Sequence, residues 1–373
     1  MSSTPISPAP SPPERSGSTW WADRRFWLGM LISVVCLVLA FRNVRWLDLA
    51  VAMRSVDWAV LALAGLAVVL DLFLRGLRWR ILLVPVGAVP VGDAFSFLNI
   101  GAMANNVLPL RAGEIIRSVL LGSKRHLSKS AVFATVVVER LFDVLMLVVM
   151  ALILMAAMPL PVLVKQAVLV IAIAGFGLTV ALWWAAGHLT PGNNSRLADR
   201  LGALVDRLAG PPEKPRRVLG IQLSDPLHTA WTWVQSFAGG LGVVRSPRLT
   251  AGAAGYTVLS WLSSVAYVLL VLRACHLDLP WTAALMVMVI VNFGAALPSS
   301  PGALGVVHVL AMLALTPWNV PQPAALTFAI MLHAVLFLVT VLMGLASLWH
   351  EGLNWQQMAG ASNQQMPTAT DDL

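Results

Sequence analysis

The sequence predicts an all-α polytopic membrane bundle of about six full spans and two broken hairpins. Three observations predict it. Apolar residues make up 58% of the 373 and charged residues only 11%, against about a quarter charged in soluble domains. Runs such as LGMLISVVCLVLAF (28–41) and LALAGLAVVLDLFL (61–74) have no polar face, and a stretch of about 20 such residues matches the thickness of a hydrocarbon core. Two further apolar segments are interrupted at their middles by Pro and Gly. Mean hydropathy is +0.79, so the chain reads as one membrane domain.

Residues 1–25 are rich in Ser and Pro and are expected to be a disordered cytoplasmic N-terminus. The apolar run starts too late, and without a small-residue cleavage site, for a signal peptide. The membrane domain covers 26–352. Its spans fall at 26–41, 58–84, 131–158, 162–186, 253–272 and 324–349, with interrupted segments at 94–121 and 284–315. A polar connector occupies 187–250. Within it Leu197, Leu201, Leu204 and Leu208 share one helical face opposite charges, as in a helix lying on a membrane surface or a connector packing on the bundle; Trp231, Trp233 and Phe237 suggest the same for a second helix. Residues 353–373 are polar and expected to be disordered.

The net charge of +8 reflects Lys and Arg in short loops beside spans, so the chain is not expected to bind nucleic acid. Arg24, Arg25, Arg75, Arg78, Arg80, Arg111, Arg117, Lys124, Arg125, Lys129, Arg196, Arg200, Arg207, Lys214, Arg216, Arg217, Arg245 and Arg248 fall on one side if the spans alternate, opposed by Arg42, Arg45 and Arg54. That side is expected to be cytoplasmic, with both termini there, in the cytoplasmic membrane. Trp27, Trp58, Trp79, Trp281 and Trp349 sit at span ends, as interfacial belts do. Cys36 and Cys275 lack metal-site spacing, and no cofactor or metal is expected.

The interrupted segments repeat one another. Leu108, Pro109 and Gly113 recur 189 positions later as Leu297, Pro298 and Gly302, and each set follows an Asn-bearing approach, Asn105 and Asn106 in the first and Asn292 in the second. A break in a membrane helix exposes backbone groups that lipid cannot satisfy. Paired breaks in oppositely oriented segments point to a midplane transport site; two proline-kinked packing hairpins are the alternative.

Four polar clusters lie in or beside the spans, where ionisable groups are costly. Arg111, Glu114 and Arg117, spaced i, i+3, i+6 after Pro109 and beside Gly113, suit a phosphate held at a helix start or a surface ion-pair loop. Glu139, Arg140 and Asp143 lie inside an apolar helix. They should pair within the bundle, as a clamp, a proton path or partners for the first cluster. Asp71, deep in its span, is expected to pair with Arg75, while Arg78 and Arg80 read as anchors at the inner interface. Ser299, Ser300 and His308 belong to the second hairpin: the hydroxyls can receive a headgroup, and His308 reads mainly as a hydrogen-bonded structural residue. No nucleotide loop, metal array or nucleophile elbow is present in the sequence.

The run NNVLPLRAGEIIRSVLL, then VVVERLFDVLML, then LPSSPGALGV resembles the flippase-like membrane family named after the transmembrane region of lysylphosphatidylglycerol synthetase, which includes hopanoid-associated and polyprenyl-lipid relatives. The resemblance spans roughly residues 26–350. It implies movement of a charged or phosphate-bearing lipid across the cytoplasmic membrane. By motif it carries substrate contact onto Arg111, Gly113, Glu114 and Arg117, onto Glu139, Arg140 and Asp143, and onto Pro298, Ser299, Pro301, Gly302 and Gly305. The chain ends some twenty residues after its last span, so the aminoacylating domain of the synthetases is not expected. The expectation is a non-enzymatic lipid translocator, with lipid-synthesis enzymes as possible partners. The rivals are a membrane glycosyltransferase or other lipid-modifying enzyme, and a scaffold of a lipid-synthesis complex.

Overall fold

The computed structural model describes residues 24–42, 44–108, 112–158, 166, 169–170, 173–181, 184, 196–209, 217–218, 221–222, 224–294 and 300–363. It is a polytopic helical bundle. Helix α1 (Arg24–Phe41) meets α2 (Trp46–Arg54) at 88°, and α3 (Trp58–Leu83) follows. Asp57 starts α3 by accepting from the amides of Ala59 and Val60 at 2.9 and 3.1 Å, the usual cap for a helix's unpaired first N–H groups. The interrupted segment at 94–121 becomes a hairpin of α4 (Val91–Val107) and α5 (Gly113–Arg125), and α6 (Lys129–Ala157) follows. About half of the expected span at 162–186 is described, and those residues, 173–181 among them, are helical. The connector holds α7 (Arg196–Ala209), a short antiparallel pair β1 (Arg217–Val218) and β2 (Ile221–Gln222), and α8 (Ser224–Gly240).

Helix α9 (Pro247–Ala274) begins with Ser246 as cap and Pro247 in its first turn. The second interrupted segment is α10 (Trp281–Gly294), a 3-10 turn at Pro301–Ala303 and α11 (Val306–Ala314). Helix α12 (Gln322–His350) spans 29 residues, a rise of about 44 Å. Outward-facing Leu31, Leu63, Leu66, Leu70, Leu262, Leu338 and Leu342 are exposed, as lipid-facing side chains are. The family of spans by length and composition numbers five among the described residues, or six with the bent α1–α2 pair.

The two hairpins open at opposite ends of the bundle. Helix α12 starts just after the second hairpin and ends where Glu351 meets Lys124 of α5, at the mouth of the first. At the other end, the Asp57 amide donates to Ala274 O at 2.8 Å, tying the start of α3 to the end of α9, just before α10. The inner ends of the hairpins meet: a Cβ on Gly302 would lie 3.3 Å from Asn106 O. Positive φ angles at Gly302 (68°) and Gly305 (82°) turn the second chain back, a conformation in which glycine avoids Cβ strain.

Three expectations change. Trp79 is not interfacial: it is fully buried, and its indole N–H donates to Thr135 Oγ1 at 3.0 Å. Arg78 is not an anchor at the interface either, but is fully buried among carboxylates. The polar tail from 353 contains α13 (Trp355–Asn363), which packs on α5 with Met358 and Ala361 buried on one face; two apolar residues at i, i+3 suffice to dock a short helix. Residues 1–23 and 364–373 lie outside the described residues.

Helices α4 and α5 cross at two glycines. A Cβ on Gly101 would come within 2.8 Å of Gly113 O, and one on Gly113 would run into Gly101 O and the Asn105 side chain. We expect Gly113→Ala to lower unfolding stability in detergent by about 1–3 kcal/mol. Gly255→Ala, with nothing within 4 Å, should leave it unchanged or raise it slightly. At the hairpin mouth Lys124 and Arg125 both bond Asp93. Burial resists ionisation of Asp93, but hydrogen bonds from Arg125 and Lys124 outweigh it and hold the carboxyl below its ordinary value. That stabilisation is present at neutral pH and lost as pH falls through the depressed value. Thermal unfolding should show Asp93→Asn less stable than wild type at pH 7, with the gap closing below about pH 4.

Candidate functional site

The charged side chains inside the bundle form one network across three helices. Helix α3 supplies Asp71, Arg75 and Arg78 at i, i+4, i+7, one face of the helix. Helix α6 supplies Glu139, Arg140 and Asp143, and α5 supplies Arg117. Glu139 accepts from Arg140 at 2.8 Å and Arg117 at 3.0 Å and forms an ion pair with Arg78 at 3.1 Å. Asp143 accepts from Arg78 at 2.7 Å and from the Trp261 indole N–H at 3.3 Å, and forms an ion pair with Arg140 at 3.4 Å. Arg78 also donates to Thr257 Oγ1 at 3.3 Å. Arg117 lies over the ring of Trp79, 4.7 Å from its centroid. Arg75 pairs with Asp71 at 2.9 Å.

Burying an ion costs several kcal/mol even after relaxation, and only close partners offset that. Arg78, 0% exposed, therefore needs both carboxylates, and they need it. This half of the network is structural. The other half faces a cavity of about 400 Å³ at the centre of the bundle. Asn105, Asn106, Gly113, Glu114 and Arg117 line it from the first hairpin and Gly302, Ala303 and Val307 from the second. Asp71, Arg75, Glu139 and Arg140 form one wall, with Tyr267, His333, Phe337 and Thr340 around the remainder. Exposure separates the cations: the Arg140 side chain is 49% exposed and Arg75 22%, against 4% for Arg117. Arg140 is the guanidinium freest to meet a ligand.

The start of α5 is held by Asn105. Its Oδ1 accepts from Gly113 N at 2.8 Å, and its Nδ2 donates to Glu114 Oε1 at 3.2 Å. One side chain thus caps the helix and aims its first acidic residue into the cavity.

Of the residues singled out from sequence, Asn105, Asn106, Gly113, Glu114, Arg117, Glu139, Arg140 and Gly302 come together around this space. Asp143 does not line it and sits behind, clamped by Arg78. Ser300 does not line it either: its amide donates to Ser33 Oγ of α1 at 2.9 Å. Arg111, Pro298 and Ser299 lie outside the described residues. Sequence reasoning named Asp71 and Arg75 without placing them at the site, and missed Tyr267 and His333. Each of the latter is an isolated polar group in an apolar helix, the signal that marks intramembrane function.

The chain matches, over residues 26–344, the family described as the lysylphosphatidylglycerol synthase TM region, and it belongs to that family of polytopic membrane proteins. It is similar to a protein named glycosyltransferase AglD of Haloferax volcanii, 26% identical over 358 residues, covering 88% of this chain and 56% of that protein. The chain therefore spans little more than half the length of that relative. It is also similar to a UPF0104 membrane protein of Methanothermobacter thermautotrophicus, 24% identical over 329 residues, covering 86% of this chain and 92% of the other. No solved structure matches.

Removing Arg78 takes from each buried carboxylate one of its arginine partners and leaves Asp143 with only the longer contact to Arg140 at 3.4 Å among its ion pairs. Arg78→Met should destabilise the protein by about 3–5 kcal/mol, and the double variant Arg78→Met/Asp143→Leu should recover part of that loss. Chemical unfolding in detergent measures both; a neutral single variant would contradict the clamp.

Proposed function

We propose that this protein is a lipid translocator that admits a phosphate-bearing or otherwise charged headgroup into the cavity between its two hairpins while the chains stay in the bilayer. The observation that carries this reading is a central cavity walled by both broken hairpins, with the half-exposed guanidinium of Arg140 facing it. A guanidinium can grip a phosphate bidentately. Arg75 lies on the same wall, and the buried Asp71 Oδ1, which has no hydrogen-bond partner among the described residues, offers an acceptor to a headgroup hydroxyl or ammonium.

The mouth of the first hairpin is assigned to the cytoplasmic side of the cytoplasmic membrane, with both termini there. Arg80, Lys124, Arg125, Lys129, Arg245 and Arg248 gather at that end, as the positive-inside bias requires. Enzymes that make the transported lipid are its expected partners.

A second reading, a membrane-embedded lipid-modifying enzyme, is favoured by the name of the Haloferax volcanii relative. Such an enzyme needs an ionised base free to act, and Glu139 and Asp143 are both engaged by arginines. Glu114 is the cavity carboxylate it would have to use.

Reconstitution separates the two. In vesicles carrying fluorescent phosphatidylglycerol, the protein should speed dithionite-accessible exchange between leaflets. Arg140→Gln should slow it about 10- to 100-fold, the worth of one charged hydrogen-bonded contact, without loss of folded protein. Undiminished exchange by Arg140→Gln would remove the headgroup role assigned to this cavity. Exchange lost instead in Glu114→Gln, together with consumption of a sugar donor, would favour the enzyme.

A further inference from the structure

The second hairpin carries a titratable pair that the charge network does not use. His308, on α11, is buried, and its ring stacks on His333 of α12 with centroids 5.0 Å apart and planes 27° from parallel. His333 stacks in turn on Phe337 at 6.0 Å. Phe337 lies under the hairpin turn: a Cβ on Gly302 would be 3.5 Å from its ring. Three rings thus lie in a row against the tip of the hairpin, and His333 and Phe337 both line the cavity.

His308 also holds the turn directly. Its Nδ1 accepts the amide hydrogen of Gly305 at 3.3 Å, so the ring is the neutral tautomer with its proton on Nε2. Gly305 is the left-handed residue, φ 82°, that starts α11. A proton arriving on Nδ1 turns that acceptor into a donor facing another donor, and the bond that fixes the turn is lost.

The surroundings leave the pair as the titrating element of this hairpin. Helices α1 and α10 pack against α11, and neither brings an acidic or basic side chain within 26–41 or 281–294. On α12 the other titratable group is His350, at the far end. Across the cavity His333 faces Asp71 and Arg75 of α3, Tyr267 of α9, Glu114 and Arg117 of α5, and Glu139 and Arg140 of α6. The carboxylates Asp71 and Glu139 are already bonded to arginines. Two imidazolium rings at this spacing repel, so the pair takes up one proton.

We propose, on the basis of the translocator reading, that His308 and His333 form the proton-binding site to which lipid movement is coupled. The proton enters from the cavity, which His333 lines. Its arrival on His308 releases Gly305 and loosens the tip that Gly302 presses against Asn106. Loss of the proton resets the turn. A hydronium O–H bond breaks as an imidazole N–H bond forms, and the amide-to-imidazole hydrogen bond is lost; nothing is oxidised or reduced.

His308→Gln tests this, because a glutamine at the third helical position can still accept from the first amide but cannot titrate. Two measurements keep the outcomes apart. In a Cys36→Ser/Cys275→Ser background, Ala303→Cys reports opening of the tip by maleimide labelling. The rate is taken at each pH relative to the same protein carrying His308→Gln, which cancels the titration of the thiol. This ratio should rise several-fold from pH 7.5 to pH 4.5; a constant ratio overturns the proposal. In phosphatidylglycerol vesicles with an imposed pH gradient, wild-type exchange should change with the sign of the gradient and His308→Gln exchange should not. Exchange that ignores the gradient in wild type overturns the coupling and leaves the translocator reading standing. Absence of lipid exchange under every gradient, with labelling still pH-dependent, overturns the translocator reading and the coupling with it.

Discussion

Glu139 sits in the middle of the bundle, 1% exposed, with guanidinium groups of Arg78, Arg117 and Arg140 around it. Those groups come from α3, α5 and α6, so a single carboxylate joins a span, a hairpin arm and the span that follows the hairpin. The low dielectric makes each ion costly to bury alone. Both carboxylates have more than one arginine partner, whereas Arg117 of the hairpin arm pairs with Glu139. The hairpin cannot drift from α6 without stranding charge, and the cavity beside it keeps its shape for the same reason. Trp79 extends the constraint, since its ring supports Arg117 while its N–H is fixed to Thr135 of α6.

The backbone breaks follow a parallel logic. Free amides and carbonyls at membrane depth need partners that lipid cannot give. Asn105 serves the start of α5, Ser33 the amide of Ser300, and His308 the amide of Gly305. All three are side chains reaching to main chain, two across their own turn and Ser33 from the neighbouring α1, not extensions of a helix. A hairpin stabilised in this way keeps a local, low-energy means of rearranging, which a continuous helix with its ladder of internal bonds lacks. Where the bundle must be rigid it uses bonded ions, and where a turn must be held at a break it uses single neutral hydrogen bonds.

Much of this was legible in the chain before the fold. The spans at 58–84, 131–158, 253–272 and 324–349 and both hairpins came from hydropathy and from Pro and Gly spacing, because those signals depend only on local backbone chemistry and lipid solvation; the span at 26–41 is one arm of a bent pair. Pairing of Asp71 with Arg75 was legible because i, i+4 fixes proximity on a helix. Arg78 and Trp79 were misread because a residue near a span end and a residue aimed at a neighbouring helix look alike in sequence. What distinguishes them is the rotation of α3 against α6 and α9, which no local pattern encodes. The same limit hid Tyr267 and His333, whose significance lies in what they face. Helix α13 escaped notice because its buried face is only Met358 and Ala361 in a polar tail.

The way the network is split bears on how a translocator of this kind would work. A headgroup phosphate entering the cavity must compete for Arg140 with Glu139 and Asp143, which already hold it. That competition limits how tightly the headgroup binds, and a transport site benefits from weak binding because the lipid must also leave. The exchange remains tolerable because Glu139 keeps Arg78 and Arg117 when Arg140 turns away, and Asp143 keeps Arg78 and Trp261. No buried charge is left alone at any stage. A cavity lined by unpaired arginines would bind a phosphate more strongly and release it more slowly, and without a ligand it would face the mutual repulsion of its own cations. Redundant pairing behind one half-exposed side chain avoids both; on the proposed reading it is Arg140, and not the more deeply held Arg78 or Arg117, that meets the headgroup.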